Sequence, residues 1–144
     1  MRILALDVGS KTIGVAVSDP LGITAQGLTT LRRTEMAADI GAIQKIVAEY
    51  QVEQIVIGLP LNMNGSQGPA AAMAREVGNA LSAAGSPPLL YRDERLTTVM
   101  AEKAMLEGDL SRKKRKKIVD RIAAVLILQN YLDYRGHGGL PRSE

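Results

Sequence analysis

The stretch Arg2–Asp19, RILALDVGSKTIGVAVSD, decides the fold. An apolar strand, Ile3 to Leu6, runs into a carboxylate at Asp7. A glycine turn follows at Gly9-Ser10, and a second apolar strand spans Ile13 to Val17. Alternation places Ile3, Ala5 and Asp7 on one face of the first strand and Leu4, Leu6 and Val8 on the other. Asp7 therefore stands where an aliphatic side chain is expected. Leaving a carboxylate unpaired there is costly, so the fold has to set a cation or strong donors beside it. Two readings are open at this point. Asp7 caps the turn at Val8-Gly9-Ser10, or it holds a metal ion or a phosphate-bound metal.

Outward from this hairpin, a weaker third strand covers Ile23 to Leu31, polar enough to lie at a sheet edge. The turn residues at Gly9-Ser10 and at Asp19-Pro20-Leu21-Gly22 make the three strands an antiparallel meander. Helical spacing then runs from Glu35 to Tyr50, with Ile40, Ile43, Ile46 and Val47 on one face. The short apolar run Ile55 to Leu59 reads as a buried strand that delivers the loop Leu61 to Pro69, LNMNGSQGP. An Ala-rich helix, Pro69 to Ala84, is ended by Gly85 and the Pro87-Pro88 pair. A fifth strand, Leu89 to Arg92, runs into Asp93-Glu94-Arg95.

Thr97 or Thr98 caps a helix from Val99 to Glu107, stopped by Gly108. The basic run Arg112, Lys113, Lys114, Arg115, Lys116 and Lys117 leads into a last helix from Ile118 to Tyr134. The expected fold is α/β: a mixed five-stranded sheet, an antiparallel meander followed by parallel crossovers, flanked by helices. Residues 1–134 form one domain and residues 135–144 a loose tail.

Bulk composition narrows the function classes. The 144 residues are 46% hydrophobic and 23% charged, ordinary values for a globular chain with a real core. Phe, Trp and Cys are absent, which rules out disulfides, thiolate metal sites and a Cys nucleophile, and fits a reducing cytoplasm. There is no signal-peptide layout and no run of about 20 apolar residues, so a cytoplasmic location away from membranes is expected. Charge is uneven: residues 1–91 carry six Lys/Arg against seven Asp/Glu, and residues 92–144 twelve against eight. The basic final third points to a polyanion, RNA or DNA, approaching from that side. Nothing marks a dimer surface beyond exposed parts of the two middle helices, which leaves monomer and homodimer both open.

Two further carboxylates stand in unusual places. Asp120 lies on a helix that is apolar almost all round, in line with Ala124, Ile127 and Tyr131. It complements the helix dipole from the first turn, or it is a ligand. Asp93 and Glu94 sit just past a strand, where a parallel sheet opens its ligand crevice, and the pattern does not rank one above the other. The plain reading is an exposed charged turn. Each carboxylate alone has such a reading, but together they converge at one edge of a mixed sheet. Hard divalent cations want that donor set: oxygen ligands, about six for Mg²⁺, with water among them. Bound cations would neutralise the cluster, activate a water and stabilise the leaving oxygen of an in-line displacement. The basic run beside Asp120 is then where a phosphate backbone lies, although such runs are often only solvated.

On these residues the chain resembles the YqgF/RuvX family of Holliday-junction resolvases, also regarded as pre-16S rRNA nucleases. The resembling segments are LALDVGSKTIGVAVSD (4–19), IVIGLPLNMNGS (55–66), DERLTT (93–98) and VDRIAAVLILQNYL (119–132), spread over residues 2–134. The resemblance implies a ribonuclease H-like fold, with Asp7, Glu94 and Asp120 as the acidic catalytic and metal-binding set. It thereby chooses Glu94 over Asp93. It also implies Mg²⁺ or Mn²⁺ as cofactor, structured RNA or DNA as substrate, and phosphodiester hydrolysis as the reaction. Two departures stand out: Arg121 follows the last Asp where the family has a small residue, and Asn64 stands where Asp is common.

Lys11 and Arg95 are candidate phosphate contacts, with the six cations of the basic run, and each is otherwise a surface charge. Thr97 and Thr98 donate to phosphate or cap their helix. Asn62, Asn64 and Gly65 are placed to line the cleft. His137, the single histidine, is given no role. Two rival readings compete with the nuclease. A phosphotransferase of the actin and sugar-kinase type also begins with D-x-G-S/T, but it needs a second lobe for which 144 residues leave no room. A non-catalytic nucleic-acid-binding factor of transcription or ribosome assembly gains nothing from three carboxylates facing phosphates.

Overall fold

The computed structural model describes residues 1–62, 64–93 and 112–136, with the backbone alone over 112–121. The elements are β1 (Arg2–Val8), β2 (Thr12–Ser18), β3 (Ala25–Arg32), α1 (Met36–Tyr50), β4 (Val52–Leu59), α2 (Pro69–Ala83), β5 (Leu89–Asp93) and α3 (Arg112–Gly136). The five strands form one sheet in the order β3-β2-β1-β4-β5. β1 pairs antiparallel with β2, and β2 with β3; β1 pairs parallel with β4, and β4 with β5. The meander followed by parallel crossovers is the architecture expected from the hairpin and the helical spacing.

β1 lies at the centre because it is apolar on both faces: Ile3, Leu4, Ala5 and Leu6 are all fully buried. Leu4, Leu6, Val15, Ile55 and Ile57 form the core beneath α1 and α2, which contribute Ile40, Ile43, Ala74, Val77 and Leu81. The opposite face carries Ile3, Ala5, Ala16 and Val56, covered by Ala124, Ile127, Leu128, Tyr131 and Leu132 of α3. Burial of both faces removes several hundred Å² of apolar surface from water, at about 25 cal/mol per Å².

Side chains of α3 fasten it to the sheet. Gln129 accepts the Ala25 N–H through Oε1 at 3.0 Å and donates from Nε2 to the Ile23 carbonyl at 3.0 Å. The Tyr131 hydroxyl donates to Gln54 Oε1 at 3.2 Å, and Arg92 donates to Asn130 Oδ1 while lying over the Tyr134 ring. At the same end of the sheet, the Asp19 carboxylate accepts the Thr24 and Ile23 N–H groups, which hold its carboxyl below the usual value.

Helix α3 corrects two expectations. Its described part begins at Arg112, so the basic run 112–117 belongs to the helix instead of preceding it. Asp120 is then eight residues inside, beyond the reach of a first-turn dipole contact, and that reading of it falls. The helix also continues past Tyr134 to Gly136. The expected helix over 99–107 and most of the tail lie outside the described residues.

Glycine at position 78 is required by packing. A Cβ there would collide with the Tyr91 hydroxyl and stand 3.0 Å from Tyr91 Cζ and 3.3 Å from Ile57 Cδ1. Gly78→Ala is expected to destabilise the fold by about 1–3 kcal/mol through overpacking. Adding Tyr91→Phe, which removes the colliding oxygen, recovers part of that loss in urea unfolding.

Candidate active site at the end of strand β1

Asp7 continues the Ile3–Ala5 face of β1 toward the C-terminal end of the strand, on the side covered by α3. Its partner across the ladder is Gly14 on β2, and the row continues from Gly14 to Thr30 on β3. On the other flank, Leu6 pairs with Ile57, and the next residue of β4 is Gly58. Both strands beside Asp7 thus present glycine at its level. Asp7 is partly exposed and has a partner in the structure, as a carboxylate set among aliphatic strand residues requires. Thr30 Oγ1, in the same cross-strand row, is buried and has no hydrogen-bond partner among the described residues.

The turn that follows Asp7 is held from two sides. The Gly9 N–H donates to the Thr12 carbonyl at 2.8 Å, and the Arg33 N–H donates to the Lys11 carbonyl at 2.8 Å. The Arg33 guanidinium donates from Nη1 to the Gly9 carbonyl at 3.1 Å and from Nε to Asp39 Oδ2 at 3.1 Å. Asp39 Oδ1 accepts the Thr34 N–H at 3.1 Å. Arg33 and Asp39 are 14% and 5% exposed, so this pair joins α1 to the turn behind Asp7 largely out of solvent. Lys11 is exposed on that turn. Sequence reading missed Arg33, Asp39, Gly14, Gly58 and Thr30. The consecutive arginines after a strand were the available signal, but their partner on a later helix was not legible.

The loop after β4 lies at the same end of the sheet. Leu61 and Gln67 form an isolated bridge, the Asn62 N–H donates to the Ser66 carbonyl at 2.8 Å, and the Gly65 N–H donates to the Asn62 carbonyl at 2.8 Å. Gly65 has φ +87°, a left-handed conformation that suits glycine. Asn64 Oδ1 accepts both the Ser66 N–H, at 2.9 Å, and the Ser66 hydroxyl, at 2.6 Å. The Asn64 oxygen therefore closes its own turn, which an Asp at this position would also do. Asn62, Asn64 and Gly65 are exposed on this loop.

On β5, Leu89 and Tyr91 pack with the core beneath α1 and α2. Alternation sends Asp93 to that same side, opposite the face of Asp7. Glu94, Arg95, Thr97, Thr98 and His137 lie outside the described residues. Asp120 and positions 112–117 are placed by backbone on α3. Of the acidic set, Asp7 is thus the member whose surroundings the structure describes.

A family model described as "RuvX: Holliday junction resolvase" matches residues 1–134. The chain belongs to the RuvX family. It is 55% identical over 140 residues to a Moorella thermoacetica protein, covering 97% of this chain and 100% of that one, named "Putative pre-16S rRNA nuclease". A Clostridium botulinum protein of the same name is 61% identical over 133 residues, 92% of this chain and 97% of its own length. Among solved structures, Thermus thermophilus RuvC bound to a Holliday junction superposes with TM-score 0.57 at 12% identity, over 95% of this chain and 97% of that one. The fowlpox virus Holliday junction resolvase gives 0.55 at 14% identity, over 92% and 99%. At these identities the structural likeness speaks for the fold: RuvX shares the ribonuclease H-like sheet and its helices.

Removing the buried partner of Arg33 tests the brace behind Asp7. Asp39→Ala strands a largely buried guanidinium and the Thr34 N–H, and it is expected to cost about 2–4 kcal/mol in urea unfolding. Asp39→Asn, which keeps an acceptor for Thr34, is expected to cost less.

Proposed function

We propose that this RuvX protein is a divalent-metal-dependent nuclease that hydrolyses phosphodiester bonds in structured nucleic acid. We assign Asp7, Glu94 and Asp120 to the metal and the pre-16S rRNA to the substrate. The observation that carries the proposal is the placement of Asp7: a carboxylate near the C-terminal end of the central strand, between Gly14 and Gly58. The donor chemistry fits the ion. Carboxylate oxygens are hard ligands suited to Mg²⁺ or Mn²⁺, and Asp7 offers them where both flanking strands carry glycine.

Chain geometry supports the set. Tyr131 reaches Gln54, which pairs with Ile3. From Tyr131 back to Asp120 is about 16 Å of helix, and from Ile3 to Asp7 about 13 Å of strand. The matching lengths favour position 120 at the level of Asp7. Placement of Asp93 on the opposite face favours Glu94 as the third ligand, in agreement with the family motif.

In this reading the metal supplies an activated water and neutralises the leaving oxygen. The protein's own residues do the rest. Asp7 sits on the central strand of the sheet, and the Arg33–Asp39 brace fixes the turn that presents Lys11 to a phosphate. Arg95 and the cations at 112–117 of α3 hold the backbone of the polyanion. No helix among the described residues is long and apolar enough to cross a membrane, and a cytoplasmic substrate such as ribosomal RNA precursor suits the chain.

Asp7→Asn is expected to lower cleavage of a precursor-rRNA fragment by at least about a hundredfold. It should also abolish the rise in melting temperature that Mn²⁺ gives the wild type through preferential binding to the native state. A four-way DNA junction run beside the RNA names the preferred substrate. If neither is cut under Mg²⁺ or Mn²⁺ while binding persists in EDTA, the protein is a binding factor and the catalytic reading is wrong.

A further inference from the structure

The sequence places two arginines side by side at 32 and 33, and the sheet sends them to opposite faces. Arg33 points toward α1, where Asp39 and the Gly9 carbonyl occupy its guanidinium. Arg32 pairs with Thr12, two positions beyond the Thr30–Gly14 pair. Alternation therefore puts Arg32 on the face of Gly14 and Asp7. Arg32 is exposed at the end of an edge strand, and its side chain makes no hydrogen bond or ion pair among the described residues.

We propose that Arg32 is a substrate-binding residue that grips the phosphate backbone of the nucleic acid on the Asp7 face, beside the site of cleavage. This rests on the nuclease reading for the position of the scissile phosphate. Sheet spacing sets the reach. Thr30 lies two strands from Asp7, about 9.6 Å, and Arg32 about 6.6 Å farther along the edge strand, which separates the Cα atoms of Asp7 and Arg32 by about 12 Å. An extended arginine spans roughly half of that, and each strand of a duplex carries a phosphate every ~3.4 Å of axis. Side chains stand off the sheet, so the guanidinium meets a phosphate about two to four nucleotides from the one at Asp7. A planar, always-charged fork at that point suits a phosphate. Arg33 carries the same charge but spends it on Asp39, so only one of the two neighbours is available to a polyanion.

The test is the salt dependence of binding, measured in EDTA on the full chain by fluorescence anisotropy. The probes are a structured precursor-rRNA fragment and a four-way DNA junction. Loss of one phosphate contact is expected to flatten the slope of log K against log salt by about 0.7–0.9. Arg32→Gln should show that flattening with an unchanged melting temperature, and Arg32→Lys should restore the slope. Lys45→Gln removes an exposed cation from α1, on the opposite face, and should leave the slope as in the wild type. A wild-type slope in Arg32→Gln overturns the assignment. Equal flattening in Lys45→Gln also overturns it, since net charge and not position would then govern binding. Flattening on the RNA alone or on the junction alone supports the contact and says which backbone uses it. Because the readout is binding without metal, a failure of cleavage counts against the nuclease reading and leaves this comparison standing.

Discussion

A carboxylate on the central strand of a sheet covered on both faces is the constraint on which the rest of this structure depends. β1 is fully buried through Ile3, Leu4, Ala5 and Leu6, and Asp7 follows on the same strand. Such a group is tolerated only near an edge and among partners, because desolvating an ionised carboxylate without them costs several kcal/mol. The fold meets both conditions. β1 ends one residue after Asp7, and the strands on either side offer Gly14 and Gly58 in place of larger neighbours. Glycine inside a strand ordinarily weakens it, and here two glycines flank the one carboxylate set among the buried residues of the central strand.

The turn behind Asp7 shows how the scaffold holds this arrangement. Gly9 to Thr12 is a short connection with little packing of its own, and its carbonyls are taken by Arg33. Arg33 is in turn oriented by Asp39 on α1. A buried ion pair contributes little net stability, since desolvation offsets attraction. What it supplies is geometry: a fixed relation between the helix, the turn and the strand that carries the acid. The loop after β4 is held in another way, by the Asn64–Ser66 bonds and the bridge of Leu61 to Gln67. Two connections at the same end of the sheet are therefore ordered by polar contacts in place of a core.

The likeness to RuvC at 12% identity and the much closer likeness to proteins named as pre-16S rRNA nucleases answer different questions. Sheet order and helix placement survive extensive substitution because they need only the right alternation and volume at each position. Chemistry needs particular atoms, and function is argued from the site and the family. Packing decides which polar side chains stay available: Asp39 and the Gly9 carbonyl take up the Arg33 guanidinium inside the fold, whereas the neighbouring Arg32 stays exposed.

Local periodicity made most of the architecture legible. Alternation in Ile3–Val8 and Ile13–Val17 marked two strands, and the spacing of Ile40, Ile43 and Val47 marked a helix, because periods of 2 and 3.6 are properties of neighbouring residues. The same alternation put Asp7 on the face of Ile3 and Ala5. Helix α3 was misjudged at its start, since six consecutive cations carry no periodic signal by which a helix could be seen. Only the tertiary structure decided which residues meet across strands. Gly14 beside Asp7, Thr30 beyond it, Asp39 on Arg33, and the parting of Arg32 from Arg33 all depend on pairings between distant segments. Register and packing set those pairings through the burial of whole faces, and no short window of sequence contains them.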